Sequence, residues 1–153
     1  MQHIHEVYPK RSSPCTCMNM RRASRALTHF YDEVLEPSRL TVNQLALLRN
    51  LEVLEQATIG QLAKTMRIDR TTLNRNMKPL ADAGLIESHP GKDTRTKVIV
   101  LTEEGKAAVG LGWRLWEEAQ QSIKEYLGEE DLAKLKQLLA KLEALNKGDM
   151  YGN

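Results

Sequence analysis

The sequence has little of what several classes of protein depend on. Only 5% of its 153 residues are aromatic, with a single Phe, so a core must be built from Leu, Ala, Ile, Val and Met. No apolar run reaches the roughly 18 residues of a membrane span, and the opening MQHIHEVYPKRSSP has no apolar segment of a secretory signal. We therefore expect a soluble, cytoplasmic protein with no membrane partner.

Residues that support catalysis or metal binding are also sparse. Cys15 and Cys17 are too few for a disulfide framework, and no second pair with zinc-ligand spacing follows them. The four His residues are scattered along the chain, and no Gly-rich phosphate loop occurs. We therefore expect no enzymatic activity, no metal site and no cofactor.

Charge is distributed unevenly, although the net charge is only +2. Residues 58–101 hold eight Lys or Arg against four acidic side chains. Residues 102–153 hold seven basic and ten acidic side chains. A basic middle section beside an acidic C-terminal section indicates that the middle section binds a polyanion.

Apolar periodicity and helix caps predict a mainly α-helical chain with a small β-hairpin. Residues 1–14 mix Pro, Ser and charge, so we expect a flexible or disordered arm. A first helix over residues 17–36 is predicted to stop because Pro37 blocks its continuation. Capping boxes at Thr41–Gln44 and Thr58–Gln61 predict the starts of the second and third helices.

A fourth predicted helix, residues 69–83, has two different sides. Asp69 is a favourable N-cap, and we expect Pro79 to kink the helix without ending it. Its buried side is predicted to consist of Leu73, Met77 and Leu80. The exposed first turn, the opposite side and the flanks carry Arg70, Thr71, Thr72, Asn74, Arg75 and Lys78.

A β-hairpin is predicted directly after this helix. Its strands are residues 85–89 and the β-branched run 97–101, joined by a basic loop at 90–96. Two short helices followed by a hairpin form a winged helix-turn-helix, here residues 41–101. The second helix of such a unit fits the major groove of B-DNA.

The polar side chains of this unit have expected places on double-stranded DNA. The guanidinium of Arg75 matches the acceptors of guanine, whereas Lys78 is better suited to a phosphate. Arg95 in the loop is suited to the minor groove, whose negative potential attracts arginine. The other predicted DNA contacts are Arg70, Thr71, Thr72, Asn74, Lys92 and Lys97.

Two long helices are predicted in the C-terminal third. Thr102 caps the first, and Gly128 ends it. Its predicted apolar stripe is Ala108, Leu111, Leu115, Ala119, Ser122 and Tyr126. The second carries a leucine seam over 132–145. We expect residues 15–36 and 102–146 to form a homodimer, which would place two recognition helices about 34 Å apart on a pseudo-palindromic operator.

The sequence resembles the MarR family of bacterial winged-helix regulators over residues 15 to about 146. The matching stretches are LTVNQLALLRNL, TIGQLAKTMRIDRTTLNRNMKPLADAGLIE and GKDTRTKVIVLTEEGKA. The resemblance implies a single domain over 15–153 that dimerises through its terminal helices. It also implies that Arg95 enters the minor groove, that Asp93 braces the wing, and that a small-molecule effector or an oxidant relieves repression.

Two alternatives stay open. The first is peroxide sensing, because the sequence also resembles the branch of the family with a reactive cysteine at the start of the first helix. Cys17 then carries the reactive thiol, Cys15 resolves it on a partner chain, and Tyr31 contacts the sulfur. In the second alternative the winged helix binds a protein instead of DNA. Salt-dependent duplex binding distinguishes this alternative from a DNA-binding regulator.

Overall fold

The computed structural model describes residues 3–5, 7–93 and 95–147. In chain order the elements are α1 (Thr16–Leu35), a 3-10 turn (Glu36–Ser38), α2 (Val42–Leu54), β1 (Gln56–Thr58), α3 (Ile59–Met66), α4 (Arg70–Asp82), β2 (Ile86–Pro90), β3 (Lys97–Leu101), α5 (Glu103–Leu127) and α6 (Glu129–Glu143). Residues 1, 2 and 6 of the expected arm, Thr94 of the wing and 148–153 of the expected domain lie outside the described residues. Within the described part of the chain, no helix is both long and apolar enough to cross a bilayer.

The expected arm contacts two helices. Residues 3–5 and 7–14 form neither helix nor strand. The Nε2 atom of His3 lies 3.2 Å from a carboxylate oxygen of Glu118 on α5. The Asn19 side chain of α1 accepts the Ser13 N–H (2.8 Å) and donates to the Ser13 carbonyl (2.7 Å). The flexibility of this arm stays a prediction.

The two predicted capping boxes are confirmed and explain where α2 and α3 begin. The Thr41 hydroxyl accepts the Gln44 N–H (3.2 Å), and the Gln44 side chain accepts the Thr41 N–H (3.0 Å). Thr58 and Gln61 make the same pair of bonds, at 3.2 and 2.9 Å. These reciprocal bonds satisfy amides that the first turn of a helix leaves without a helical partner.

The predicted hairpin is confirmed, and a third strand joins it. The sheet is antiparallel with the order β1-β3-β2. In the hairpin Ile86 pairs with Leu101, and on the other edge Thr58 pairs with Val98. Strand β1 was not predicted, because it is only three residues long and its last residue, Thr58, is also the cap of α3. The wing is therefore held at its base by a strand that precedes the helix-turn-helix.

The hydrophobic core is centred on α2, and the buried side of α4 packs against it. The main cluster joins leucines of α2 to side chains of α3, α4 and the sheet, and its members include Leu45, Leu47, Leu48, Leu51, Leu62, Leu73, Leu80, Ile86 and Ile99. A second cluster of Tyr31, Val34 and Ala119 joins α1 to α5. Fully burying side chains of this size stabilises the fold by about 1.5–3 kcal/mol each, so α4 is fixed to the core along its apolar side.

The predicted stripe of α5 was wrong in part. Residues buried on this helix are Gly105, Val109, Gly112, Ala119 and Ser122. Tyr126, expected in the stripe, is 51% exposed. A Cβ at Gly112 would lie 2.9 Å from Leu45 Cδ1. Helix α5 therefore packs closely on α2 at Gly112, where α5 has no side chain. Apolar periodicity misses such a contact because glycine contributes no apolar side chain.

Helix α6 leaves its leucines uncovered in the protomer. None of its residues is buried. Between 37% and 73% exposed are Leu135, Leu138, Leu139 and Leu142 of the helix and Leu145 just after it. An apolar helix face of this length normally packs against another surface.

Replacing Glu55 with Gly is expected to stabilise the protein by about 1 kcal/mol. Glu55 ends α2 with φ 64° and ψ −45°, a conformation that L side chains rarely adopt. Gly relieves this strain, and urea denaturation measures the change. Arg39→Gly is the control, because Arg39 (φ 60°, ψ 21°) lies in the ordinary left-handed region and has less strain to relieve. A lower urea midpoint for Glu55→Gly would contradict the prediction.

Candidate nucleic-acid interface

Helix α4 begins with a side-chain cap. The Asp69 carboxylate accepts the Thr72 N–H at 2.8 Å and the Thr72 hydroxyl at 2.7 Å. The hydroxyl bond, followed by the backbone bond, lowers the pKa of the Asp69 carboxyl. The cap is therefore fully effective above the ordinary pKa of Asp and is lost as the pH falls through the lowered value. The Thr72 hydroxyl therefore donates its proton to the Asp69 cap.

The two predicted sides of α4 are confirmed. Leu73 and Leu80 are buried, and Met77 packs against them half-buried. The exposed residues include Arg70, Thr71, Asn74, Arg75 and Lys78. The helix is continuous through Pro79 and ends at Asp82; the expected kink stays a prediction. Because the apolar side of α4 packs in the core, its polar side faces solvent.

The C-terminus of α4 turns sharply into the wing. The Leu85 N–H donates to the Leu80 carbonyl and the Gly84 N–H donates to the Ala81 carbonyl, both at 3.0 Å. Gly84 has φ +72°, which lets the chain reverse after the last turn of the helix. Strand β2 then begins at Ile86. Gly84, the residue after the C-cap Ala83, therefore determines where the wing leaves the helix.

The cations of α4 differ in their surroundings. The Arg75 side chain makes no hydrogen bond or ion pair with any other residue that the structure describes. The Lys78 ammonium lies 2.9 Å from the Asp82 carboxylate, an exposed pair of the kind that contributes little. An atom of the Arg70 guanidinium would lie 3.0 Å from a Cβ at Gly60, so this group covers the first turn of α3. The Arg75 guanidinium is therefore exposed and has no partner among the described residues.

The wing tip is tightly closed and basic. The Asp93 side chain accepts the Arg95 N–H (3.2 Å), and the Asp93 carbonyl accepts the Thr96 N–H (3.0 Å). The Gly91 N–H donates to the Thr96 carbonyl at 2.6 Å, and a Cβ at Gly91 would lie 2.8 Å from that oxygen. The exposed cations around this turn are Lys92, Arg95 and Lys97.

Thr102 joins three elements where α4, β2 and α5 meet. Its hydroxyl donates to the Gly84 carbonyl (2.7 Å) and accepts the Gly105 N–H (3.0 Å). Its backbone N–H donates to the Leu85 carbonyl at 3.1 Å. A Cβ at Gly105 would lie only 2.1 Å from that same carbonyl oxygen. The sequence identified Thr102 as a helix cap but not as the residue that fixes the end of α4.

A cleft between α2 and α5 was not predicted. The rings of Trp113 and Trp116 stack with centroids 4.5 Å apart. The Arg49 guanidinium lies 4.6 Å from the Trp113 ring centroid and also pairs with Glu52. The cleft has a volume of about 250 Å³ and is lined by Val42, Leu45, Ala46, Arg49, Asn50, Trp113 and Trp116. The sequence signal for this cleft was the spacing of its two Trp residues, which are three positions apart in a chain with few aromatic residues.

The cysteines and the tyrosine of the predicted thiol sensor are not in contact within one chain. Cys15 is the N-cap residue of α1, and both it and Cys17 are exposed free thiols. Tyr31 is buried, and its hydroxyl donates to the Gln120 side chain at 2.6 Å. Burial raises the pKa of that hydroxyl. Tyr31 follows Cys17 by fourteen positions in the same helix, a rise of about 21 Å, so a contact between them requires two chains.

The chain resembles known proteins in sequence and in overall fold. The family model described as the MarR family matches residues 40–97. The transcriptional regulator MosR of M. tuberculosis, solved in complex with DNA, is 34% identical and superposes with a TM-score of 0.76. That match covers 86% of this chain and 98% of MosR. The chain belongs to the MarR family.

Two other similar proteins are a solved structure of E. coli MarR and an HTH-type transcriptional regulator. A cysteine-to-serine mutant of E. coli MarR, solved with operator DNA, has the same fold at 24% identity and a TM-score of 0.73, covering 80% of this chain and 89% of that one. The uncharacterised HTH-type transcriptional regulator YwoH of Bacillus subtilis (strain 168) is 26% identical over 87 residues. That match covers 57% of this chain and 64% of YwoH, so the chain spans less than two thirds of that relative.

The MarR family match covers the part of the chain that carries the candidate interface. It starts at the last residue before the α2 cap and ends at the first residue of β3. It therefore includes the whole of α4 and the wing tip. MarR-family proteins are DNA-binding transcriptional regulators with a winged-helix fold, which is the architecture described above.

Proposed function

We propose that this chain is a homodimeric repressor that acts in the cytoplasm by binding a pseudo-palindromic operator sequence-specifically. Helix α4 enters the major groove, and wing residues 90–96 reach the minor groove. The observation that carries the proposal is the outward surface of α4. There Arg75 is exposed and unpaired among the described residues, while Leu73 and Leu80 hold the helix in the core.

Each exposed side chain of the interface has a proposed contact. Arg75 donates to guanine O6 and N7 through two parallel hydrogen bonds. Arg95 enters the minor groove while Asp93 holds the tip closed. Thr72 keeps the Asp69 cap intact, and its contact with a base or phosphate stays a prediction. Phosphate or sugar contacts, with base contacts where a side chain reaches one, come from Arg70, Thr71, Asn74, Lys78, Lys92 and Lys97.

The test is selection of bound duplexes from a random pool by the reduced protein, at about 50 mM and about 200 mM salt. The expected result is one pseudo-palindromic motif whose half-sites lie one helical turn apart and which is retained at both salt concentrations. Enrichment of no motif, together with binding that disappears at the higher salt concentration, would contradict sequence-specific recognition. It would favour the protein-binding alternative.

Arg75→Ala and Lys78→Ala are expected to weaken operator binding in different ways. Loss of Arg75 should cost about 1–3 kcal/mol and relax preference at one base pair in each half-site. Loss of Lys78 should weaken all duplexes alike and make binding less dependent on salt. Fluorescence anisotropy with a set of single-base operator variants measures both effects. Equal loss of affinity for every variant in Arg75→Ala would contradict a base-reading role.

The proposed dimer is supported by the exposed leucines of α6. These side chains lie on one side of a helix that has no fully buried residue in its own protomer. Packing them against a second copy removes apolar surface from water at about 25 cal/mol per Å². Each protomer then contributes one recognition helix, and the operator has matching two-fold symmetry.

Release of the operator by a small ligand is the regulatory part of the proposal. The cleft beside Trp113 and Trp116 lies between α2 of the DNA-binding lobe and α5 of the terminal helices. Its aromatic walls and the Arg49 guanidinium suit a planar ligand. A ligand that fits better when α2 and α5 move apart would shift the lobes away from the operator-binding geometry.

Release by an oxidant is the second form of regulation that we consider. Cys15 and Cys17 are exposed, so peroxide can reach both thiols. A contact with Tyr31 is proposed between chains, because the two residues lie far apart in one chain. Operator binding before and after mild peroxide, in the native protein and in Cys17→Ser, tests this. Loss of binding that Cys17→Ser does not prevent would contradict a sensing role for Cys17.

A further inference from the structure

One carboxylate of α1 caps a helix other than its own. The Oδ1 atom of Asp32 accepts the backbone N–H of Val42, the first residue of α2, at 2.7 Å. Asp32 is half-buried at this position. The carboxylate lies at the positive end of the α2 dipole, where an anion is favourable. Among the described residues, this is the only side-chain hydrogen bond that joins α1 to α2.

The segment between the two helices is itself closed by hydrogen bonds. The Ser38 hydroxyl donates to the Leu35 carbonyl at 2.7 Å and accepts the Leu40 N–H at 3.3 Å. Leu35 and Leu40 are both buried. Because the connector is short and closed, the Asp32 bond leaves α2 little freedom to pivot on α1.

The orientation of α2 determines the orientation of α4. Leucines of α2 pack in the same cluster as Leu73 and Leu80, the buried side chains of α4. Helix α1, to which Asp32 joins α2, is in turn packed on α5 through Tyr31, Val34 and Ala119. A change in the angle between α1 and α2 therefore moves the DNA-binding surface relative to the terminal helices.

We infer that Asp32 is a positioning residue for operator recognition. By fastening the N-terminus of α2 to α1, it fixes the distance between the two recognition helices of the dimer. This inference rests on the proposed function, because the distance matters only when two protomers bind two half-sites. Asp32 touches no DNA itself, so its loss should affect the spacing of half-sites and not their sequence.

The test compares operators in which the half-sites are moved. Binding is measured to the selected operator, to the same operator with one central base pair inserted or removed, and to an isolated half-site. The native protein is expected to lose about tenfold or more in affinity at either altered spacing. Asp32→Ala is expected to bind all three spacings within about threefold of each other, and the isolated half-site as the native protein does.

Thr41→Ala is the matched control. It removes the other side-chain cap of α2, the bond to the Gln44 N–H, but makes no change at the contact with α1. Both variants should lower the melting temperature, whereas only Asp32→Ala should lose the spacing preference. Asp32→Asn, which keeps an acceptor oxygen in place, should restore that preference. If Asp32→Ala does not fold, Asp32→Glu replaces it, because Glu keeps the charge but displaces the oxygen.

Different results of these binding measurements contradict the role of Asp32 and the proposed dimeric recognition. An unchanged spacing preference in Asp32→Ala would overturn the inference. An equal loss of preference in Thr41→Ala would also overturn it, because the effect would then come from helix stability alone. If the native protein itself showed no spacing preference, the proposed dimeric recognition would fail, and the inference with it.

Discussion

Replacing Gly105 with Ala is expected to lower the free energy of unfolding by about 3 kcal/mol. A Cβ at this position would lie 2.1 Å from the Leu85 carbonyl oxygen, which is backbone and cannot rotate away. That carbonyl also accepts the Thr102 N–H, so the end of α4 and the start of α5 must separate to make room. Thermal unfolding should show a melting temperature lower by about 6–12 °C.

Gly110→Ala provides the control on the same helix. Gly110 is exposed, and no described atom outside its own helix lies within 4 Å of a Cβ built there. Ala is a better helix former than Gly by about 0.5–1 kcal/mol, so this variant should be as stable as the native protein or more so. Equal melting temperatures for Gly105→Ala and the native protein would show that α5 does not pack this closely on Leu85.

The double change Leu138→Glu with Leu142→Glu is expected to abolish the proposed dimer. Both leucines are exposed in the protomer, so two carboxylates cost the isolated chain little. In the dimer they would be buried without partners, which costs several kcal/mol. Because a single protomer binds one half-site, operator affinity should fall about 100-fold or more. Light scattering after gel filtration measures the mass, and anisotropy measures the affinity.

Ala133→Glu with Gln137→Glu is the matched control for this prediction. At 100° per residue these positions lie on the side of α6 opposite Leu138 and Leu142, with the same spacing of four residues. The control adds as many carboxylates to the same helix, so it should remain dimeric and bind the operator. A dimeric Leu138→Glu and Leu142→Glu protein with native affinity would place the interface elsewhere.

The boundaries of α4 could be predicted from the sequence because local chemistry determines them. Asp69 satisfies the first amides of the helix, and Gly84 supplies the positive φ that ends it. The same is true of the capping boxes that start α2 and α3. These signals depend on residues close together in the chain, so no knowledge of the tertiary fold is needed.

Features that depend on distant parts of the chain were missed. Strand β1 exists because β3 lies beside it, and its three residues carry no pattern of their own. The buried side of α5 includes Gly105 and Gly112, where the absence of a side chain allows close approach to Leu85 and Leu45. Periodicity counts apolar side chains, so it located only part of this surface.

The candidate interface shows the same division. The sequence identified the outward side of α4 because Thr71, Arg75 and Lys78 alternate with its buried leucine and methionine residues. It did not show that the Thr72 hydroxyl bonds Asp69, because that depends on a rotamer. Nor did it reveal the Arg49 and Trp113 contact, which brings together residues far apart in the chain.

The pairing of β1 with β3 also has a consequence for how the lobe folds. Thr58 and Val98 are partners in the sheet, and α3 and α4 lie in the chain between them. Closing so long a loop is entropically unfavourable unless both helices are already packed inside it. The amide protons of this strand pair should therefore exchange with solvent only when the whole lobe unfolds. The tip of the wing is free of this constraint, so exchanging the residues between Gly91 and Thr96 should not slow refolding.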